Sequence, residues 1–317
     1  MAEKKTIVVM GATGAQGGGL ARAILADPSG PFAVRAVTRK PNSDKAKDLA
    51  RQGAEVVTAD ADDESSLEKA YAGAYGVFCV TNFWEHFSAD KETAQAANMA
   101  KAATKAGAEH VIWSTLEDTR QRIPLSDNRL PTLQGKFKVP HFDGKGAADH
   151  FFADQGVPTT YLLAAFFWDN FISFGAGPRQ NEGGKTLTLA LPLGGVALPG
   201  ISAGDIGRCA LGIFRKGTSL VGKRVGISGE NLKGEEYAAK MGRAMGREVR
   251  FYDVPFDQYR GLGFPGAEDL GNMFEYQAIL GDEFLRSRDP KLSRELNPAL
   301  LDFNSWLVAN ASRIPVA

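Results

Sequence analysis

The sequence is poor in the residues that build disulfide and metal chemistry. It holds two cysteines and four histidines in 317 residues. Cys79 and Cys209 sit inside apolar stretches, so a disulfide scaffold is not expected and a reducing compartment is. His86, His110, His141 and His150 are scattered without ligand spacing, and no metal site is read from them. The chain also lacks an excess of either charge, with 37 basic side chains against 37 acidic ones. No basic run exceeds a few residues and no helix-turn-helix signature is visible, which argues against direct nucleic-acid binding. No apolar run is long enough to span a bilayer, and AAFFWDNF (164–171) is broken by Asp169 and Asn170. The N-terminus, MAEKKTIVVMG, is charged and then strand-like, unlike a secretory leader. These features point to a cytoplasmic protein with no membrane partner. A nuclear location stays open for a regulator.

What the chain does have is a regular alternation of apolar runs and helix-like runs. TIVVM (6–10), FAVRAVT (32–38), AEVVTAD (54–60), GVFCVT (76–81), HVIWST (110–115) and TTYLLAA (159–165) are separated by helix-like segments. The strand runs are near-continuous and apolar rather than alternating, as a parallel sheet covered on both faces requires. Repeated units of this kind predict an α/β fold, a Rossmann-type doubly wound parallel sheet, with a second, smaller α+β lobe. The Rossmann domain is placed at 1–160, with parts of 185–230 expected to return to it. The smaller lobe is placed at 161–317. The long loop 118–140 is expected to be functional or mobile.

The first apolar run leads directly into MGATGAQGG. Gly11, Gly14 and Gly17 are spaced three apart, between a strand and a helix. Glycines there permit a tight turn, close approach to a pyrophosphate, and close packing of helix on strand. The helix start adds unpaired N–H groups and partial positive charge. An ordinary flexible turn is the plainer alternative, but the strand–triplet–helix context favours a dinucleotide site. NAD-selective versions place a carboxylate at the end of the second strand. Here that position reads Thr38-Arg39-Lys40. Arg39 can fork onto a 2′-phosphate and Lys40 adds charge, which favours NADP(H) over a merely solvated basic turn. Asp60 and Asp62 either bond an adenine amino group or cap the helix beginning near Glu64.

Ligands bind at the carboxyl edge of such sheets. Thr81, Asn82, Phe83 and Trp84 leave the fourth strand there, and Ser114 the fifth. Phe166, Phe167 and Trp168 leave the sixth. Thr81, Asn82, Phe83 and Phe166 are assigned to the cofactor, and Trp84, Ser114, Phe167 and Trp168 to a substrate pocket. Aromatic residues are also common in cores, so these assignments compete with plain packing.

The motifs GATGAQGG, VTRKP, DADD, VTNFWE and HFDGKG, with LGFPGAEDLGNMFEYQ and ALLDFNSWL farther on, resemble those of NmrA-like proteins, atypical members of the short-chain dehydrogenase/reductase superfamily. The resemblance covers essentially the whole chain and is strongest to members that act as NADPH sensors. It implies NADP(H) in the cleft, with Thr13, Gln16 and the glycine loop on the pyrophosphate, Arg39 on the 2′-phosphate, and Lys145 on the ribose and nicotinamide side. It also implies redox-dependent regulation through a protein partner. The same superfamily branch includes reductases of quinones, imines or aromatic ethers, so a small hydrophobic substrate is the alternative ligand. A homodimer is compatible with both.

His141 and Lys145, four apart, share a helix face. The ordinary short-chain enzymes carry Tyr and Lys at that spacing, and the Tyr supplies the proton that hydride transfer demands. Histidine titrates near neutrality and can in principle donate. The pair Lys145 and His141 is therefore the candidate catalytic set. Nothing in the sequence shows a partner that orients the His141 ring, which favours a plain helix-start role after Pro140. Lys145 has a cofactor role in either case.

Overall fold

The computed structural model describes residues 3–181 and 183–316. Strands β1 (Lys5–Val9), β2 (Phe32–Thr38), β3 (Glu55–Thr58), β4 (Gly76–Cys79) and β5 (His110–Thr115) alternate with helices α1 (Ala15–Leu25), α2 (Asp44–Arg51), α3 (Glu64–Tyr71), α4 (Ala89–Lys105) and α5 (Pro140–Asp154). Then come β6 (Thr159–Leu163), β7 (Phe166–Phe167), α6 (Asn170–Ser173), β8 (Arg179–Gln180), β9 (Leu187–Leu191), β10 (Leu198–Ile201) and α7 (Ala203–Arg215). β11 (Arg224–Gly226), β12 (Glu230–Leu232), α8 (Gly234–Met245), β13 (Val249–Asp253), α9 (Phe256–Arg260) and α10 (Ala267–Leu280) follow.

Seven strands form one sheet in the order β11-β6-β5-β4-β1-β2-β3. Every neighbouring pair in it is parallel. The strands are apolar on both faces because both faces are covered. Ile7 and Val9 join a core with Leu20 of α1 and Ile206 of α7, while Val8 and Met10 join another with Leu67, Met99 and Phe152 of α3, α4 and α5. That is the two-residue period of a strand buried on two sides. On the first face α1 and α7 touch through glycine. A Cβ on Gly19 would stand 2.7 Å from the Gly204 carbonyl oxygen, and one on Gly207 would stand 2.0 Å from the Leu20 nitrogen.

Two three-stranded sheets, β12-β10-β7 and β13-β9-β8, build the second region. Its core holds Trp168, Phe171, Leu189, Tyr237 and Phe303. The chain passes between the regions more than once. β6 runs through the expected boundary at 160 and stays in the large sheet. Of the stretch 185–230, α7 and β11 rejoin the large sheet layer, whereas β9 and β10 lie in the small sheets. The chain leaves β1 towards β2 and β3 and returns on its other side as β4. The carboxyl ends of β1 and β4 therefore flank the topological switch point, where doubly wound sheets open a ligand crevice.

Candidate cofactor and active site

The turn after β1 has the shape of a phosphate cradle. Gly11 takes φ +60°, where an L side chain is strained, and a Cβ on Gly17 would stand 2.4 Å from the Met10 carbonyl oxygen. The first turn of α1 thus lies tight against the end of β1. Gly14 caps α1 without a side-chain hydrogen bond, and the first turn holds no acidic residue. The next helices differ: α2, α3 and α4 are capped by the side chains of Ser43, Asp63 and Ser88. The α1 start is left with open N–H groups and its partial positive charge, which suits a pyrophosphate. Thr13 is half-buried on the turn. Gln16 accepts a 2.7 Å hydrogen bond from Ser114 at its Oε1, which leaves its Nε2 hydrogens for a ligand.

Arg39 stands at the end of β2, more than half exposed, with Lys40 exposed beside it. Its fork is engaged by Glu85, at 2.6 Å (Nη1–Oε1) and 2.8 Å (Nη2–Oε2). These shared hydrogen bonds push the guanidinium up from its already high ordinary value and hold the Glu85 carboxyl down. An exposed pair of this kind is worth at most about 1 kcal/mol, so a phosphate dianion can displace it. The capping alternative for Asp60 and Asp62 is corrected by the structure. Asp63 caps α3, because its side chain is the one that meets the Ser66 N–H. Asp60 accepts from the Asp62 N–H. Asp62 meets Gln95 at 2.9 Å and Lys91 at 3.0 Å, and these contacts hold its carboxyl below the usual range.

Lys145 lies at the carboxyl end of β4. Its Nζ donates to Thr81 Oγ1 (2.6 Å) and sits 2.9 Å from Glu92 Oε1, while Thr81 Oγ1 donates to that same carboxylate oxygen (2.7 Å). Glu92 is fully buried and its Oε2 has no hydrogen-bond partner among the described residues. The glycines of HFDGKG allow this placement. A Cβ on Gly144 would stand 2.9 Å from the Ala89 Cβ, and one on Gly146 would stand 2.1 Å from the Asp118 nitrogen. α5 is therefore pressed against the start of α4 and against the 117–118 backbone.

His141 is buried at the first turn of α5, and the orienting partner that the sequence does not reveal is Asp269 of α10. The His141 Nδ1 lies 2.6 Å from Asp269 Oδ1, and the His141 backbone N–H donates to Oδ2 at 3.1 Å. A carboxylate accepts, so Nδ1 carries the hydrogen and Nε2 is the nitrogen left for a ligand. Trp84 and Phe83 lie over the ring, with centroids at 4.9 and 5.9 Å. The 118–140 loop is pinned more firmly than its length suggests. Asp143, on α5, accepts from the Thr119 N–H and hydroxyl and from the Lys138 and Val139 N–H groups. Asn272 of α10 donates to the Pro131 and Lys138 carbonyls.

The structure brings Thr81, Phe83, Trp84, His141 and Lys145 together at the end of β4. Asn82 is exposed at the start of a 3-10 turn, Phe83–Glu85. Ser114 is buried, and its hydroxyl goes to Gln16 rather than to an open pocket. Of the aromatic group after β6, Trp168 is buried and Phe166 and Phe167 are half-buried. Trp168 is fully buried because its indole N–H pairs with the Tyr237 hydroxyl (3.1 Å) and its ring packs on Phe303 and Trp306. Phe166 packs on Phe171 and Phe274, and Phe167 on the large-sheet core. The sequence reading missed Glu85, Glu92 and Asp269. None stands at a motif spacing from its partner, and Asp269 is 128 positions from His141. Only the pairing of buried charge could have pointed to Glu92 and Asp269, and Glu85 is exposed.

A model of the NmrA-like family matches residues 3–307. An NmrA-like family domain-containing oxidoreductase of Aspergillus hancockii, hkm9, is 28% identical over 291 residues, spanning 86% of this chain and 82% of its own. Another, FrzB of Cladobotryum sp, is 28% identical over 303 residues, spanning 88% and 85%. Among solved structures, NmrA, a negative transcriptional regulator in complex with NADP, is similar with a TM-score of 0.77 and 23% identity over 98% of this chain and 96% of its own. Citrobacter sp. triphenylmethane reductase complexed with NADP(H) is similar with a TM-score of 0.73 and 21% identity over 97% and 99%. At such identity the structures speak for the fold. The family model runs from just before β1 into the helix Phe303–Asn310, and the chain belongs to the NmrA-like family.

Proposed function

We propose that this chain binds NADP(H) at the carboxyl edge of its large sheet and reduces a small, apolar, activated acceptor with it. The observation that carries the cofactor reading is the uncapped start of α1 behind Gly11, set beside Arg39 at the end of β2. Amides of that helix start would take the pyrophosphate, and Arg39 with Lys40 the 2′-phosphate. Lys145, steadied by Thr81 and Glu92, would take the ribose hydroxyls. The bound dinucleotide supplies the hydride. The oriented His141 ring, and the oxidoreductase names of relatives across most of the chain, support turnover. Turnover is tested by loss of NADPH absorbance against a panel of quinones, imines and enals, with NADH as the control. Substrate-dependent oxidation of NADPH, faster than of NADH, is expected. Failure across the panel would overturn the reductase reading.

One observation favours a second reading, a regulator that responds to binding of NADP(H). Glu85, which holds Arg39, belongs to the 3-10 turn that carries Phe83 and Trp84. A 2′-phosphate that took Arg39 would release Glu85 and loosen that turn. Partner binding through this segment would then follow occupancy of the site by a 2′-phosphorylated dinucleotide. Hydrogen exchange distinguishes the readings. Faster exchange over 82–90 on adding NADPH, without turnover of any acceptor, supports the regulator.

A further inference from the structure

We infer that His141 is the proton donor of this site, that Asp269 positions it, and that the acceptors are compounds with a polarised C=O or C=N bond. The inference rests on the reductase reading above and adds what the chain's own residues do in it.

The ring is fixed rather than merely accommodated. Both oxygens of Asp269 are spent on one residue, Oδ1 on the ring Nδ1 and Oδ2 on the backbone N–H of the same His141. Rotation of the ring would break the first bond. The tautomer and the direction of Nε2 are set together. His141 packs against Trp84, Phe83 and Phe142 at centroid distances of 4.9, 5.9 and 4.8 Å. It stands at the start of α5, one turn before the lysine that bonds Thr81 at the end of β4. The ring therefore sits beside the end of β4, at the switch point of the sheet.

The lysine one helical turn away is paired separately from the ring. Here the Lys145 ammonium has its own fully buried carboxylate, Glu92, at 2.9 Å. Lys145 and His141 each meet a separate acid, Glu92 from α4 and Asp269 from α10. Asp143, the remaining acid nearby on α5, is spent on Thr119, Lys138 and Val139. Packing alone does not call for such a pair, since apolar residues of similar volume fill a core at least as stably.

The step balances. Hydride, carrying two electrons from NADPH, forms a C–H bond at the acceptor carbon. The π pair of the C=O or C=N bond moves to the heteroatom, which takes the proton from His141 Nε2. His141 is left neutral with a lone pair on Nε2, its Nδ1–H still on Asp269, and solvent reprotonates it. An acceptor whose carbon is already cationic, such as an N-alkylated iminium ion, needs no such proton.

That difference supplies the test. Wild type, His141→Gln and Asp269→Asn are compared with NADPH on two probes, an enal and an N-alkylated iminium ion. Loss of the donor should slow enal reduction by about 100-fold or more in His141→Gln. Iminium reduction and the NADPH dissociation constant should change little. Asp269→Asn should lower kcat on the enal and leave its KM near the wild-type value. Nitrogen NMR of labelled histidine is the readout that does not depend on turnover, and it should show hydrogen on Nδ1 of His141 in wild type and a mixed tautomer in Asp269→Asn. A lone pair on Nδ1 in wild type would overturn the inference. Equal loss on both probes would also overturn it and leave a role for shape alone. Undiminished enal reduction in His141→Gln removes the donor and spares the reductase reading. A wild type that turns over neither probe removes both.

Discussion

Glu92 shows how much one side chain decides here. It is fully buried, and its charge is matched by Lys145 and Thr81. Glu92→Gln would leave the Lys145 ammonium without its counter-charge, at a cost of about 3 kcal/mol. Urea unfolding should show this as an earlier midpoint, with weaker NADPH binding in the same variant. His110 is a different case. Burial pushes it down to about 4 from an ordinary 6.5. The unfolded chain then takes up a proton as pH falls below 6.5, while the native ring stays neutral until about 4. Its contribution is complete above the higher value and is lost on the way to the lower one, amounting to about 3 kcal/mol. Unfolding midpoints at pH 7 and pH 4.5 should differ more in wild type than in His110→Gln. Burial likewise pushes the thiols of Cys79 and Cys209 up to about 12. Neither should react with a thiol reagent until denaturant is added, and reaction in the native protein would contradict the buried placement.

At the scale of elements, the central contact is α1 on α7. Gly207→Ala would drive a Cβ to 2.0 Å from the backbone nitrogen of Leu20, with no flexible side chain to yield. The helices must part, and a loss of about 1–3 kcal/mol is expected, read as a lower Tm. Helix α10 has a second organising role. Asp269 holds His141 and Asn272 holds the Pro131 and Lys138 carbonyls, so one helix sets both the ring and the loop before it. The elements also differ in how legible they are. β1, β2, β4, β5 and β6 could be read because their apolar runs carry burial on both faces, and β3, at the sheet edge, from its paired valines. β7, β8 and β12 could not, since strands of two or three residues leave no period to detect. Trp168 misled for a related reason: its place after β6 suggests a binding edge, yet its N–H finds Tyr237 sixty-nine positions away. Gly11, Gly17 and Arg39 could be singled out because they fall at the strand ends and helix start of one βαβ unit. Asp269 and Glu92 were not, because buried ion pairs obey distance in space rather than spacing in sequence.

For the whole molecule, the switch point between β1 and β4 gathers four separate pieces of chain. The glycine turn comes from β1, the aromatic turn and Thr81 from β4, and His141 with Lys145 from α5, with α10 reaching over from the second region. NADP(H) selectivity is the claim on which this assembly depends. The most direct measurement is the ratio of NADH to NADPH dissociation constants in wild type, Arg39→Ala and Glu85→Gln. NADPH should bind more tightly than NADH in wild type, by about 1.5–3 kcal/mol for a charge-assisted contact. Arg39→Ala should abolish most of that preference, and Glu85→Gln should strengthen it by freeing the guanidinium. Equal affinity for the two dinucleotides in wild type, or an undiminished preference in Arg39→Ala, would contradict the account.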